Sequence, residues 1–183
     1  PIQLGFGFTL NGVGGMVGIN RAIDTTALAT LVRAGQSEEL LFPKNVVADA
    51  PTIVRDLTTV FPATQGHYIF GPLGKLGWGT PTLITGEIGI ILEYPALVVV
   101  LLGEVKCLLP KPDQALVKLN LSIDGVLDFP NKTFSMDADL HDSVINGFPV
   151  SGQMAMRVSW GDQPNFVFSI GGFHPAYTPP PNF

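Results

Sequence analysis

The pattern that decides the fold lies in residues 117–124, which read VKLNLSID. Apolar residues hold the odd positions and polar residues the even ones, the period of two that sends successive side chains to opposite faces of a β-strand. The same period recurs in residues 133–141, 150–160 and 166–172, and turn-forming residues such as Asn146-Gly147 separate the runs. The spacing predicts consecutive antiparallel strands joined by short turns.

Two segments that precede these strands are apolar almost without interruption. Residues 83–92 and 96–109 predict strands that are buried on both faces. Three glutamates interrupt them: Glu87, Glu93 and Glu104. If these carboxylates face a shared interior they need partners, and Lys106 or Arg157 could serve; if they face outward, they only add charge to the sheet.

The N-terminal residues 2–19 are rich in glycine and apolar residues, and they predict a β-hairpin. An Asn-Gly pair is a strong signal for a tight turn, so we place the turn at Asn11-Gly12. The glycines that follow match neither the dinucleotide-binding pattern nor a phosphate loop. They favour close backbone packing over phosphate binding.

Helices are predicted only in the stretch that follows this hairpin. Asp24 or Thr25 suits the N-cap of a first helix, and Asp49, followed by Pro51, suits the start of a second. A further helical turn is predicted at residues 37–41. Each of the two main helices has one apolar face, which is expected to pack on the sheet.

Together these patterns predict a single β-dominated α+β domain over residues 1–177. It is a curved antiparallel meander, either open or closed into a partial barrel, with a helical insert at about 24–61 whose two short helices pack on or into one face. Residues 178–183 read TPPPNF and predict a proline-rich linker to a following domain. Because the chain also begins at Pro1, we expect a piece of a longer protein.

The composition excludes several classes of protein. Hydrophobic residues make up 46% of the chain, enough for a sizeable core and too many for disorder. Ten basic residues against fifteen acidic ones give a net charge of −5, and no basic run is present, which argues against binding to nucleic acid. The longest apolar run, residues 96–102, is too short for a transmembrane helix. The single cysteine, Cys107, excludes an intrachain disulfide.

Asp137, Asp139 and His141 alternate along one strand and are weak candidates for metal ligands. Side chains two residues apart on a strand are separated by about 7 Å, too far for three of them to close on one ion without help from a neighbouring strand. We therefore favour a solvated polar face and predict no metal or cofactor. No catalytic residue is predicted either, because the sequence contains no nucleophile elbow and no His-Glu-x-x-His pattern.

Alternate apolar residues of the last strands could line a groove for acyl chains. The candidates are Leu119, Leu121, Ile123, Phe134, Met136, Met154, Met156, Phe166 and Phe168. Methionine is flexible and polarizable, so it suits an adaptable wall. The apolar faces of the two helices, which carry Leu28 and Leu57, are expected to compete for this surface because burial contributes about 25 cal/mol per Å².

Glycine, proline and aromatic motifs recur along the chain, in residues 5–15 (GFGFTLNGVGG), 77–81 (GWGTP) and 171–177 (GGFHPAY). By these motifs the chain resembles a functionally uncharacterised domain family embedded in very large β-rich, mostly bacterial proteins. That resemblance implies no catalytic residues. In its one-sided strand pattern the chain is also similar to repeating β-groove lipid-transfer proteins, which implies an apolar groove.

The function predicted from these observations is a non-enzymatic structural or binding module of a larger protein or assembly. Only 14% of the residues are charged, which leaves little to solvate the surface of a free monomer. We therefore expect contacts with protein, either a second copy or flanking domains, and self-association of the isolated domain. Binding of an apolar cargo such as lipid is the alternative, and an enzyme of unknown class is the third.

Overall fold

The structure, a computed structural model, describes residues 1–33 and 47–171. In chain order the elements are β1 (Ile2–Gly5), β2 (Phe8–Arg21), α1 (Thr25–Arg33), α2 (Ala50–Val60), β3 (Ala63–Trp78), β4 (Ile84–Tyr94), β5 (Val98–Leu109), a 3-10 turn (Pro112–Gln114), β6 (Val117–Asp128), β7 (Thr133–Ile145), β8 (Phe148–Ser159) and β9 (Asn165–Ile170). The helical turn predicted at 37–41 and the linker predicted at 178–183 lie outside the described residues.

All nine strands belong to one sheet and follow each other in sequence order. Every neighbouring pair is antiparallel. Within the described residues β1 pairs only with β2 and β9 only with β8, so the sheet is open. This confirms the prediction of a β-dominated α+β meander with two helices, and the sheet does not close on itself.

The N-terminal hairpin turns at Phe6-Gly7, and the prediction of a turn at Asn11-Gly12 was wrong. Phe6 and Gly7 have φ angles of 52° and 81°, the positive values that a two-residue hairpin turn requires. The side chain of Trp78 supports this turn, because its Nε1 donates to the carbonyl oxygen of Phe6 at 3.1 Å. Asn11 lies inside β2, where the pairing with β3 shifts by one residue between Leu10 and Gly12.

Both helices begin where the sequence predicts. At the start of α1, the Oδ1 atom of Asp24 accepts the backbone N–H groups of Thr26 and Ala27 at 3.0 and 2.9 Å, which is an N-cap. Helix α2 begins directly after Asp49 and carries a proline in its first turn. None of the helices in the described part of the chain is long and apolar enough to cross a membrane.

The core lies between the two helices and one face of the sheet. The helices contribute Leu28, Leu31 and Val60, and Phe61 follows α2 directly. The sheet contributes Ile69, Leu73, Ile91, Val100 and Leu102. Apolar burial is the main favourable term in folding, so these contacts fix the helices on this side of the sheet.

The antiparallel register divides the sheet into two faces. The helix-bearing face carries the core residues, and we call the opposite one the helix-free face. The helix-free face consists of the odd-numbered residues 13–19, 99–109 and 117–127 and the even-numbered residues 68–78, 84–94, 134–140, 152–158 and 166–170.

All nine groove candidates lie on the helix-free face. The expectation that the helices compete for that surface was therefore wrong. The helices have another apolar surface available, because Ile69, Ile91 and Val100 form an apolar patch on the helix-bearing face.

Candidate functional site

A row of polar side chains crosses the helix-bearing face from β3 to β8. Each member lies directly opposite the next on the neighbouring strand. The row consists of Lys75, Glu87, Glu104, Ser122, Asp139 and Gln153. Alternation predicts that these residues share a face, but only the register of the sheet shows that they form one line.

The three glutamates that interrupt the apolar strands all face this side and are buried. Glu87 pairs with Lys75, and Glu104 Oε1 lies 3.2 Å from Lys106 Nζ. The Oε2 atoms of both glutamates are buried and have no hydrogen-bond partner in the described part of the chain. Of the partners expected from the sequence, Lys106 therefore serves Glu104, whereas Arg157 pairs elsewhere.

Glu93 has a different role from the other two glutamates. Its Oε1 atom lies 2.6 Å from Nδ1 of His67, and its Oε2 atom accepts the backbone N–H of Ile23 at 2.9 Å. Both carboxylate oxygens are therefore engaged by the protein itself, which makes Glu93 a structural tie between β4, β3 and the start of α1.

The three candidate metal ligands lie on the helix-bearing face, as alternation requires, but each has a different neighbour. Asp137 accepts two hydrogen bonds from Arg157 at 2.9 and 2.8 Å, and His141 contacts Ser122. Asp139 belongs to the polar row. Among the described residues no group of three or more histidine, cysteine or acidic side chains is suited to hold a metal ion.

A serine, a histidine and an aspartate contact each other in the sequence of a hydrolytic triad, but the serine is buried. These residues are Ser122, His141 and Asp142. Ser122 Oγ and His141 Nε2 lie 2.9 Å apart, and His141 Nδ1 lies 3.5 Å from Asp142 Oδ2. A nucleophile has to reach its substrate, and Ser122 is only 2% exposed. The arrangement satisfies a buried hydroxyl and supports no nucleophilic role.

The helix-free face is apolar over its whole extent. Within the residues that define it, every side chain is aliphatic, aromatic, methionine, cysteine, proline or glycine. Strand β4 shows the contrast between the faces, because Ile88, Ile90 and Leu92 are 38%, 46% and 39% exposed although β4 has neighbours on both sides. Ile91, which points to the helices, is fully buried.

The groove candidates form the β6 to β9 part of this face. Met136 lies opposite Met156, which lies opposite Phe168, and Phe134 and Phe166 flank the same strand, β8. Their exposure rises toward the edge of the sheet, where Phe166 and Phe168 are exposed. These residues share one face of the sheet, and the same apolar surface continues across β3, β4 and β5, which the sequence did not indicate.

A cleft of about 370 Å³ lies at the other side of the sheet, between β2 and α2. Its lining includes Met16, Gly18, Val54, Leu57 and Ile69. Arg21, which also lines the cleft, donates to the carbonyl oxygen of Phe61 at 3.0 Å. Sequence reasoning missed this cleft, because it depends on how α2 lies beside the edge of the sheet.

Comparison with known proteins gives a family for this chain but no function. The model of a family of unknown function, DUF6603, matches residues 1–183. The chain belongs to the DUF6603 family. The family description gives no activity, substrate or partner for DUF6603. No curated protein and no solved structure matches the chain significantly.

Proposed function

We propose that this domain is a non-enzymatic binding module that mediates protein contacts through its helix-free face, as part of a larger β-rich protein of the kind found mostly in bacteria. The observation that carries the proposal is the exposure of Ile88, Ile90 and Leu92 in the middle of the sheet. Isolated exposed apolar residues are common on soluble proteins, but a continuous apolar sheet face marks a surface that is covered in the functional state.

The size of the face supports a stable interface. The six strands from β3 to β8 are each at least 11 residues long. At about 4.8 Å between strands and about 3.3 Å per residue, they cover about 1,000 Å². A standard protein interface buries about 800 Å² on each partner, whereas the largest apolar patch on a typical monomer is about 300–600 Å².

We propose a second copy of the same face as the partner. Two sheets pack face to face at about 10 Å when their facing side chains are apolar, as in a β-sandwich. The face has no charged residue that would repel a second copy. A bilayer with anionic lipids is a poorer match, because the chain carries fifteen acidic against ten basic residues.

Light scattering coupled to size-exclusion chromatography tests the proposal over a wide range of protein concentration. We expect the wild-type chain to self-associate and Ile90→Asp to weaken the association at least roughly tenfold, because the change places a charge in the centre of the interface. Leu116→Asp is the matched control, since Leu116 is exposed but precedes β6 and lies outside the defining residues.

Two outcomes would contradict the proposal. One is a wild-type chain that remains monomeric at every concentration, and the other is an Ile90→Asp variant, folded by circular dichroism, that associates as the wild type does. Flotation with vesicles of phosphatidylcholine, with and without phosphatidylserine, completes the test. Flotation by a monomeric wild-type chain would assign the face to a lipid surface instead.

Binding of an apolar cargo is the second candidate function, and the methionines of the helix-free face favour it. Met136 and Met156 lie directly opposite each other, and Met154 lies one pleat away on β8. Three flexible, polarizable side chains next to Phe168 can adapt to an acyl chain. Native mass spectrometry of the purified domain would support this function if lipid adducts persist and are lost in a folded Met154→Asp/Met156→Asp variant.

A further inference from the structure

The edge of the sheet at β2 is a second surface, distinct from the helix-free face. Strand β1 pairs only with Phe8 to Leu10 of β2, whereas β3 pairs with β2 along its length. Residues 12–21 therefore have a paired neighbour on one side only within the described chain. Along such an edge, alternate N–H and C=O groups point away from the sheet and are available to another strand.

This edge lacks the features that usually prevent strand pairing. Natural edge strands are commonly short, bulged, or protected by lysine or proline. Residues 2–20 contain no charged side chain and no proline. From Gly12 to Ile19 the register with β3 is unbroken, and Val13, Val17 and Ile19 are 76%, 75% and 69% exposed.

The edge combines a few large apolar side chains with glycines on both faces. On the helix-free face Val13, Val17 and Ile19 surround Gly15, and on the helix-bearing face Met16 lies between Gly14 and Gly18. Glycine at these positions leaves room for a large side chain of a strand that pairs alongside. When a second copy runs antiparallel with its Met16 opposite Met16, its Val17 faces Gly15, so the valine fills the space that the glycine leaves.

The cleft beside α2 provides space on one side of this edge. An added strand would present every second side chain to the helix-bearing side, where the cleft of about 370 Å³ is lined by Val54, Leu57 and Met16. Within residues 12–20, the largest side chain that a second β2 presents on that side is its own Met16. A flexible thioether between aliphatic residues is a favourable contact.

We infer that β2 pairs antiparallel with β2 of a second copy, around a two-fold axis at Met16, and that the second copy's Met16 enters the cleft beside α2. A two-fold axis perpendicular to the sheet keeps both helix-free faces on the same side. The two sheets then form one continuous sheet, and its helix-free face is twice as large. This contact is independent of the face-to-face contact proposed above, and together the two contacts build assemblies larger than dimers.

Hydrogen–deuterium exchange of the full chain at low and high protein concentration tests the inference directly, because it reports on backbone N–H groups. We expect exchange in residues 12–20 to slow at least roughly tenfold at high concentration, since strand pairing protects these amides. The variant Met16→Lys, checked for folding by circular dichroism, should remove this protection, because Met16 lies on the helix-bearing side of the edge and the change places a charge at the contact with the second copy. The variant Ile90→Asp should retain it, because Ile90 lies on β4, two strands from the β2 edge, and takes no part in the pairing of β2.

Val167→Lys is the matched control, because Val167 is an exposed valine on β9, the strand at the opposite edge of the sheet. We expect Val167→Lys to leave the protection of residues 12–20 unchanged. Loss of protection in Val167→Lys would show that β2 pairs with β9 of another copy, and this would overturn the two-fold arrangement. Equal exchange at both concentrations would overturn strand pairing altogether.

Light scattering separates this inference from the proposed function. Ile90→Asp alone and Met16→Lys alone should each leave a dimer, and the combination of both changes should leave a monomer. If Ile90→Asp alone gives a monomer and residues 12–20 remain unprotected, the face-to-face contact stands and the edge contact is wrong. If Met16→Lys alone gives a monomer, the edge contact stands and the face-to-face contact is wrong.

Discussion

Glu93 and Ile23 lie seventy positions apart in sequence and are joined by a hydrogen bond in which the backbone N–H of Ile23 donates to Glu93 Oε2 at 2.9 Å. The bond links the middle of the sheet to the segment that leads into α1. Because Glu93 is only 5% exposed and also contacts His67, its carboxylate is held from two sides. A side chain of β4 thus anchors the segment that leads into the first helix.

We expect Glu93→Ala to destabilise the domain by about 3 kcal/mol, because it leaves the N–H of Ile23 without its acceptor and removes the partner of His67. Glu93→Gln retains a carbonyl oxygen for Ile23 and should cost about 1 kcal/mol. Urea denaturation followed by circular dichroism measures both values. Equal losses in the two variants would show that the hydrogen bond to Ile23 contributes little.

Gly18→Ala should destabilise the domain by about 1–3 kcal/mol, whereas Gly74→Ala should not. A Cβ atom on Gly18 would lie 2.4 Å from Cγ1 of Ile69, a core residue under α2, but a Cβ atom on Gly74 meets nothing within 4 Å. Both glycines lie in strands. Gly74→Ala should slightly stabilise the domain, because alanine lowers the conformational entropy of the unfolded chain. Thermal denaturation compares the variants, and equal Tm values would contradict the close packing of β2 on Ile69.

The strands were the part of the fold that the sequence predicted best. Alternation in residues 117–124 and 133–141 fixes which side chains share a face, and β6 and β7 follow that pattern. It cannot fix which face a helix covers, because that depends on residues far apart in sequence. Here Ile69, Ile91 and Val100 meet on the face that also carries the glutamates, and the helices pack there.

The N-terminal turn shows a second limit of local signals. Asn-Gly is a strong turn pair on its own, but a turn also needs strands of matching register on both sides. Trp78, 72 residues later in the chain, donates to the carbonyl oxygen of Phe6, and this contact supports the turn at Phe6-Gly7. Asn11 becomes a bulge, because the pairing of β2 with β3 on both sides of it is already determined.

The candidate site was predictable only in part. Three glutamates within apolar strands indicated that polar groups could lie in the interior of the fold, and one of the two cations predicted as partners, Lys106, contacts Glu104. Lys75 was missed, since nothing local links it to Glu87, twelve residues later across a turn. The cleft beside α2 has no local signal at all, because its walls come from a strand and a helix that are separated in sequence.

We expect the domain to show no serine-dependent hydrolysis, and a fluorophosphonate probe should leave Ser122 unlabelled. Ser122 is buried in the sheet, so its hydroxyl cannot reach a reagent or a substrate even though His141 lies within hydrogen-bond distance. Mass spectrometry of the probe-treated chain makes the measurement. Labelling of Ser122, or turnover in a broad substrate screen that His67→Ala, His141→Ala or His174→Ala abolishes, would contradict the non-enzymatic proposal.

Lys75 and Glu87 pair on the helix-bearing face, and their side chains differ in solvent exposure. Glu87 is buried and lies directly opposite Glu104, whereas the side chain of Lys75 is 35% exposed. Lys75→Met would leave Glu87 without its paired cation and next to a second carboxylate, and we expect it to cost about 2–4 kcal/mol. Glu87→Gln removes the repulsion with Glu104, and Lys75 can be solvated from its exposed side, so this change should cost less than about 1 kcal/mol. Urea denaturation measures both, with Lys118→Met as the control because Lys118 is exposed on β6. A larger loss in Glu87→Gln than in Lys75→Met would show that the carboxylate, and not the cation, is the stabilising member of the pair.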